Sequence, residues 1–145
     1  MLSEILLSYL LLASAQTSTT YGWGERMCGV QGAVRHCVAG EPTASGVLLD
    51  PDAAQAALPL PEGVRLPPGG IHVRLRLLPT GRCTRIHVTD TTATRWVGVR
   101  GFDLTRGALS ALGVGVPAAT WSGGVGLCPT KPIKIRLIQN KELRK

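Results

Sequence analysis

Strict alternation of apolar and basic residues between positions 71 and 77 is the feature that most constrains the fold. Four apolar residues alternate with three basic ones: Ile71, Val73, Leu75 and Leu77 with His72, Arg74 and Arg76. A period of two is typical of a half-buried β-strand, here with a basic outer side. Residues 79–81 (Pro-Thr-Gly) then turn the chain, and residues 83–88 resume the apolar pattern. The pattern predicts a β-hairpin whose returning strand ends at residues 89–90.

The rest of the chain is divided into short segments by 18 glycines and 10 prolines in 145 residues. A further short strand is predicted over residues 95–99, and a closing strand over residues 132–138, where the alternation returns. One helix is predicted from Thr105, its N-cap, to Leu112, with Gly113 as a left-handed C-cap. Many short strands, one helix and Gly/Pro-rich turns predict a single small all-β domain, either a barrel or a sandwich.

The N-terminus is apolar from residue 5 to residue 13, and this run ends in the small residues Ala13-Ser14-Ala15. The pattern predicts a secretory signal peptide over residues 1–15. Because the run is about half the length of a bilayer span, no membrane association is expected after cleavage. The alternative is a retained amphipathic helix. Its apolar face would comprise Leu2, Ile5, Leu6, Tyr9 and Leu10.

Export would allow the four cysteines to form disulfides, because disulfides persist in oxidising compartments. Cys28, Cys37, Cys83 and Cys128 allow three connectivities. Pairing Cys28 with Cys37 closes the shortest loop and leaves Cys83 with Cys128. The spacing is not that of a zinc site, and neither a metal nor a cofactor is predicted.

The chain is basic, with 16 Lys and Arg against 9 Asp and Glu and a net charge of +7. Loss of Glu4 with the signal peptide would raise the charge to +8. Nucleic acid is nevertheless not the expected partner, because the basic residues are dispersed rather than interleaved with aromatic ones in a recognisable motif. The sequence also contains no phosphate-binding Gly loop, HExxH motif or serine nucleophile elbow.

Six short motifs, taken in order, make the chain similar to a known family. They are Thr43-Ala44-Ser45-Gly46, Leu49-Asp50-Pro51, Leu60-Pro61-Glu62-Gly63, the strand at 73–77, Val88-Thr89-Asp90, and Phe102-Asp103-Leu104-Thr105 with the helix after it. In order and spacing they resemble the double-psi β-barrel of the rare lipoprotein A family, with Tyr21-Gly22-Trp23 as its aromatic opening. The positions of Asp50, Asp90 and Asp103 are also similar to those in the three-aspartate domain of other lytic transglycosylases.

The resemblance implies a six-stranded double-psi β-barrel over residues 16–139 with one or two short helices, followed by a basic tail at residues 140–145. Relatives of this barrel, expansins among them, mostly share a groove for polysaccharide. A secreted monomer, extracellular or periplasmic, that binds cell-wall glycan (peptidoglycan) is therefore expected. The expected substrate-binding residues are Tyr21, Trp23, Thr43, Ser45, Trp96 and Arg100. In a non-catalytic wall-binding protein, Arg74, Arg76, Arg85 and Arg100 could meet anionic wall polymers. The alternative is that these arginines are simply solvated on the strand faces and protect strand edges.

By the same resemblance, Asp90 is the acid expected to protonate the leaving glycosidic oxygen. In a lytic transglycosylase the substrate supplies its own attacking hydroxyl, so one acid/base carboxyl can suffice. Asp50 and Asp103 are the further catalytic candidates. Each aspartate has a structural alternative: a turn cap for Asp90, the head of an Asp-Pro turn for Asp50, and a carboxylate at the helix N-terminus for Asp103.

The chain departs from the family pattern at three places. Val47 stands where the family has an acidic residue, and Ala57 or Leu58 where it has a functional histidine. Residues 91–93 (Thr-Thr-Ala) replace the Arg-Gly-Pro that follows the family's aspartate. Two alternatives to an enzyme therefore remain, namely a non-catalytic, expansin-like wall-binding protein and a secreted protein-binding module such as a protease inhibitor.

Overall fold

The computed structural model describes residues 3–21, 40–115, 117–118 and 120–129. In chain order the described elements are α1 (Glu4–Ser14), β1 (Thr17–Thr20), β2 (Gln55–Pro59), β3 (Ile71–Leu77), β4 (Thr84–Thr92), a 3₁₀ turn (Thr94–Trp96), β5 (Asp103–Leu104), α2 (Arg106–Ala111) and β6 (Gly123–Leu127). The predicted closing strand at 132–138, the tail at 140–145, Trp23, Cys28 and Cys37 lie outside the described residues.

The six strands close into a barrel in the order β1-β5-β2-β4-β3-β6. β1 is parallel to β5 and β2 is parallel to β4, whereas all other neighbouring pairs are antiparallel. Closure gives each strand two hydrogen-bonded neighbours and removes the free edges of an open sheet. The prediction of a small, six-stranded, all-β barrel with two short helices is confirmed, and the sandwich is not the fold.

The hairpin predicted from the alternating pattern consists of β3 and β4, which pair from Ile71 opposite Val88 to Leu75 opposite Thr84. Four of its apolar side chains are buried in the barrel core: Val73, Leu75, Ile86 and Val88. The basic residues between them lie on the outer face. β4 extends to Thr92, beyond the predicted end, because β2 pairs in parallel with this extension.

A disulfide joins Cys83, just before β4, to Cys128, just after β6. It links two cysteines that are 45 residues apart in the sequence. Closing a loop of this length stabilises a fold by about 4 kcal/mol in the chain-entropy treatment. Of the three connectivities that the sequence leaves open, the structure has the one in which Cys83 pairs with Cys128.

Helix α2 begins where the sequence predicts. The Thr105 hydroxyl accepts a hydrogen bond from the amide of Ala108 at 3.1 Å and donates one to the carbonyl of Ala53 at 2.7 Å. It therefore caps the helix and anchors its first turn to the segment that leads into β2. Beyond the helix, Gly113 has a φ of +97°, as a left-handed cap requires. Because Thr105 is the cap, Asp103 does not have the helix-terminal role considered for it and lies instead in β5.

The strand predicted over residues 95–99 is wrong. The carbonyl of Trp96 accepts the amides of both Val99 and Arg100 at 2.9 Å, so the chain turns tightly here. Gly98 has a φ of +75°, which removes the backbone from the extended region. As a result the Arg100 guanidinium lies 3.5 Å from the centroid of the Trp96 ring.

Helix α1 packs against the barrel on β1, β2 and β6. The Ser3 hydroxyl accepts the Leu6 amide at 3.2 Å and caps the helix. Leu6, Leu10 and Ala13 are buried in the same core as the barrel residues. Ile5 is 58% exposed, so the prediction that it lies on the packed face of a retained helix is wrong. Cleavage of residues 1–15 stays a prediction.

Neither helix of the described residues combines the length and the apolar character that crossing a bilayer requires.

Replacing Leu10 by Ala in the full-length chain tests the packing of α1. Leu10 is fully buried, so we expect Leu10→Ala to lower the free energy of unfolding by about 2–4 kcal/mol through lost burial and the cavity it leaves. Leu11, its neighbour on the same helix, is 55% exposed, and Leu11→Ala should cost no more than about 0.5 kcal/mol. Denaturant unfolding of both variants measures the difference.

Equal effects of the two substitutions would show that α1 does not pack as described. The intact mass of the protein recovered after export from a bacterial host tests separately whether residues 1–15 are removed.

Candidate functional site

Two of the predicted aspartates lie on either side of one residue of β2. Ala57 pairs with Asp103 of β5 on one side and with Asp90 of β4 on the other. Thr19 of β1 extends the row, because it pairs with Asp103. Paired residues on neighbouring strands point to the same face of a sheet. Thr19, Asp103, Ala57 and Asp90 therefore form one row across four strands, which we call the aspartate row.

The aspartate row lies on the outer face of the barrel. Ala56 and Leu58, the neighbours of Ala57, are buried in the barrel core, and side chains of successive strand residues point to opposite faces. Ala57 is buried from the other side, in a separate cluster with Tyr21 and Leu49. The central strand of the site is thus covered on both faces.

A register shift between β2 and β4 gives Asp90 its place in the row. Ala56 pairs with Val88, but Ala57 pairs with Asp90, so Thr89 is an extra residue of the kind a β-bulge contains. Strict alternation would turn Asp90 to the same side as Ile86 and Val88, which are in the core. Because of the shift, Asp90 shares the outer face with Ala57.

Asp103 lies in a polar niche on the half-buried part of this face. The Thr19 hydroxyl donates a short hydrogen bond to its Oδ1 atom. Burial raises the pKa of the Asp103 carboxyl above its ordinary value, and the carboxylate of Asp90 raises it further. The Thr19 hydrogen bond and the Arg100 guanidinium act in the opposite direction. The net effect favours a protonated Asp103 at a higher pH than an exposed aspartate would allow.

Asp90 is held by backbone donors. Its Oδ1 atom accepts the amide of Ala44 at 3.1 Å and that of Thr91 at 2.9 Å. The Ser45 amide also donates to the Thr89 carbonyl at 3.0 Å, so the turn at residues 43–46 is fixed against β4 next to the site. Asp90 is an acceptor inside a strand rather than the cap of a turn after it.

The hydroxyls of Thr43 and Ser45, predicted to bind substrate, are directed into this turn. Both residues are buried. Thr43 Oγ1 donates to the Val47 carbonyl at 2.6 Å and lies 3.3 Å from Ser45 Oγ. These hydroxyls stabilise the turn, and it is the turn's backbone that contacts Asp90.

Tyr21 stands behind the two carboxylates rather than on an open surface. Its side chain is 3% exposed, so its ring is not available to stack on a sugar. The buried hydroxyl has no hydrogen bond of normal geometry among the described residues. Thr89, Asp90 and Asp103 nevertheless lie close enough to affect its pKa. Burial, with both carboxylates adding to it, raises the pKa of Tyr21. The phenol therefore keeps its proton and has it available to donate.

Trp96 and Arg100 form a rim beside Asp103. Trp96 is half-buried, with the guanidinium of Arg100 at 3.5 Å and that of Arg95 at 4.9 Å from the ring centroid. Arg100 is the cation that acts on the carboxyl of Asp103. The structure therefore brings the predicted residues Trp96 and Arg100 to the aspartate row.

Asp50 does not join the other two aspartates. Its side chain is exposed, and Oδ1 accepts the amide of Asp52 at 2.9 Å across an Asp-Pro turn. The charges that act on Asp103 are those of Arg100 and Asp90, not that of Asp50. Asp50 thus has the structural role considered as its alternative.

Among the described residues, no three His, Cys, Asp or Glu side chains converge as a metal site would require. His72 and His87 lie on the outer face of the β3–β4 hairpin, where their rings stack with centroids 4.1 Å apart.

Two members of the site are absent from the sequence-based set, namely Thr19 and Thr89. Thr19 meets Asp103 because β1 runs parallel to β5, although 84 residues separate them in the sequence. Thr89 matters through the register shift it creates. Thr19 belongs to no local pattern of the sequence, and the motif Val88-Thr89-Asp90 does not indicate the register shift that Thr89 creates.

In chemical terms the row pairs a proton donor with an acceptor. Burial raises the pKa of Asp103 above that of an exposed aspartate, while Asp90 accepts two amides. Two strand spacings separate their backbones, about 10 Å. Ala57, between them, is covered by Tyr21 and Leu49, so the two carboxyls flank a small buried apolar cluster.

Asp103→Asn tests the burial of this carboxyl through stability. The folded state holds the Asp103 proton more tightly than the unfolded chain, so its contribution to stability is complete below the unfolded pKa of about 3.9 and is lost as pH rises through the raised folded value. An Asn keeps the acceptor for Thr19 but never ionises. We expect Asp103→Asn to unfold at a higher temperature than the wild type at pH 7, with the difference vanishing near pH 3.

Asp52→Asn is the matched control, measured by thermal unfolding between pH 3 and pH 8. The bond from Arg106 lowers the pKa of Asp52, so its stabilising effect is present at neutral pH and is lost on acidification. This variant should show no gain at pH 7. A loss of stability in Asp103→Asn at pH 7, in step with Asp52→Asn, would contradict the assigned environment.

No protein-family model matches this chain, and no curated protein matches it significantly. Membership of the rare lipoprotein A family therefore stays a prediction, carried by the ordered motifs between residues 43 and 113.

Proposed function

We propose that the protein binds a glycan strand of the bacterial cell wall, peptidoglycan, across the aspartate row and cleaves it as a lytic transglycosylase. The observation that supports this most directly is the position of Asp103 and Asp90 on either side of Ala57. Glycosidic bond cleavage needs a carboxyl that is protonated at working pH and a group that stabilises the positive charge formed as the bond breaks. The aspartate row supplies one candidate for each role.

Asp103 is the general acid in this scheme. Its proton passes to the bridging oxygen while the bond from that oxygen to the anomeric carbon breaks, which leaves an oxocarbenium-like sugar. A hydroxyl of the same sugar then attacks the anomeric carbon and gives its proton to the Asp103 carboxylate. The products are a shortened strand and an anhydro sugar, and no water is consumed.

Asp90 stabilises the positive charge that develops on the sugar. The amides of Ala44 and Thr91 fix one of its oxygens, so the side chain does not need to reorganise as the charge appears. This assignment exchanges the roles expected from the sequence, where Asp90 is the acid. The reason is the environment, because burial favours the protonated form of Asp103.

Tyr21 supports the two aspartates from a buried position. Its hydroxyl is buried beside Asp90 and Asp103 and keeps its proton. A phenol in this position can donate a hydrogen bond to the carboxylate that has just lost its proton. Tyr21 is therefore assigned a positioning role.

Trp96 and Arg100 form the binding rim in this proposal. The Arg100 guanidinium is exposed and already stacked on Trp96, so it is presented in a fixed position. It suits the acidic groups of wall polymers, while the accessible part of Trp96 suits the apolar face of a sugar ring. Export to the periplasm or the cell surface is part of the proposal, and the Cys83–Cys128 disulfide is compatible with an oxidising compartment.

A non-catalytic, expansin-like binding function is the second candidate. It is favoured by Ala57, which lies between the two aspartates at one of the positions where the resemblance implies a histidine. Without that histidine, the same row would hold a glycan strand and leave it intact.

Digestion of purified peptidoglycan sacculi separates the two candidates. The wild type is expected to release anhydro-ended fragments, detected by mass spectrometry. Asp103→Asn should reduce the release by at least about 100-fold, because general acid catalysis typically contributes two to four orders of magnitude. Asp90→Asn should reduce it to a smaller extent, and both variants should still sediment with sacculi.

Asp52→Asn is the control, because it removes one exposed carboxylate that is not part of the row and should release fragments at the wild-type rate. Sedimentation of every variant without release by the wild type would support the binding function alone. Failure of the wild type to sediment would refute both.

A further inference from the structure

The outer face of the β3–β4 hairpin carries two rungs of like residues. His72 pairs with His87 and Arg74 pairs with Arg85, directly across the two strands. Arg74 and Arg85 are exposed, as is His72. Arg76, the next outward residue of β3, is half-buried and pairs with Gly126 of β6. We call His72, Arg74, Arg76, Arg85 and His87 the basic face.

The basic face lacks internal counter-charges in the part of the chain that the structure describes. Within the described residues an ion pair joins Arg106 to Asp52, and both of these lie outside the basic face. The Nε atom of Arg76 is buried without a hydrogen-bond partner among the described residues. Like charges directly opposite each other in a sheet are unfavourable. An external anion that bridges each rung would relieve this repulsion.

His72 adds charge to this face on acidification. The rings of His72 and His87 are stacked with an interplanar angle of 16°, and His87 Nε2 lies 2.6 Å from the Gly69 carbonyl oxygen. The groups that face His72 are His87 and Arg85 from β4, and these, together with burial, lower the pKa of His72. The face is therefore less positive at neutral pH than at mildly acidic pH.

The rungs repeat at a spacing that a phosphodiester polymer can match. They are two residues apart along each strand, or about 6.8 Å. Two residues of an extended chain comprise six backbone bonds. A glycerol phosphate polymer also has six backbone bonds from one phosphorus to the next, so its extended repeat is about 7 Å by the same geometry. Successive phosphates can thus meet successive rungs.

Single-stranded nucleic acid has the same number of bonds per repeat, but the surface does not suit it. Proteins that bind single strands offer exposed aromatic rings on which bases stack. On the basic face the only rings are the two imidazoles, and these are stacked on each other. A polyanion without bases is the better match.

We propose that the basic face binds an extended polyol phosphate polymer, the phosphodiester-linked anionic component of a cell wall, and binds it more tightly as pH falls. The partner follows from the proposed function, since both place the protein at a wall. The surface is separate from the aspartate row, because it lies on the β3–β4 hairpin and uses none of the row's side chains.

Titration of the full-length protein with labelled poly(glycerol phosphate) at constant ionic strength tests this inference. The phosphodiester keeps its single charge between pH 7.5 and 5.5, so any pH effect belongs to the protein. The wild type should bind about fivefold more tightly at pH 5.5. Arg74→Gln combined with Arg85→Gln should weaken binding about fivefold or more at both pH values, a size expected for two exposed ion pairs. His72→Gln combined with His87→Gln should abolish only the pH effect.

The matched control is Arg65→Gln combined with Arg106→Gln, which removes the same charge from other surfaces and should change binding less than twofold. A control effect equal to that of the basic-face pair would overturn the inference, since it would show that net charge alone governs binding. Equal or tighter binding of a single-stranded oligonucleotide of the same length would overturn it in favour of nucleic acid.

The two proposals fail independently. Sacculi freed of phosphodiester polymers with hydrofluoric acid report only on the aspartate row, and poly(glycerol phosphate) reports only on the basic face. Asp103→Asn should leave polymer binding unchanged, whereas the Arg74 and Arg85 substitutions should leave fragment release from stripped sacculi unchanged.

Discussion

The pairing of β2 with β4 on one side and β5 on the other is the constraint on which the rest of the structure depends. Every residue of β2 is buried, so its two neighbours cannot shift without exposing apolar surface on one face or the other. The register shift after Ala56 is therefore fixed by the core. It aligns Ala57 with Asp90 as well as with Asp103, and the small side chain of Ala57 leaves room for Tyr21 and Leu49 to pack against it.

The same packing explains why the two aspartates differ. Asp103 lies between β1 and β2, beside the Tyr21 cluster, and it loses hydration that an exposed carboxylate would keep. Asp90 lies at one end of the aspartate row. There, amides of the turn at residues 43–46 and of its own strand donate hydrogen bonds in place of water. A fold that buries a carboxyl in this way gives up some stability at neutral pH, which is a common cost of a functional site.

Local patterns in the sequence predict the parts of this protein that depend on neighbours in the chain. β3 spans the residues of the alternating pattern, and Thr105 caps α2 as its type and position suggest. The strand predicted from Arg95 to Val99 does not form for a physical reason. Gly98 and the stacking of Arg100 on Trp96 favour a turn over an extended chain. The bond between Thr19 and Asp103 could not be predicted, since it exists only once β1 lies parallel to β5.

β4 connects the aspartate row to the basic face. Its first half presents Arg85 and His87 outward, and the register shift returns Asp90 to the same outer side three residues later. Gly69 connects the two regions. Its amide donates to the Ser45 carbonyl at 3.0 Å, and its carbonyl contacts His87. Gly69 therefore connects His87 to the turn that holds Asp90. With no register shift, Asp90 would point into the core, and β4 would carry the basic face alone.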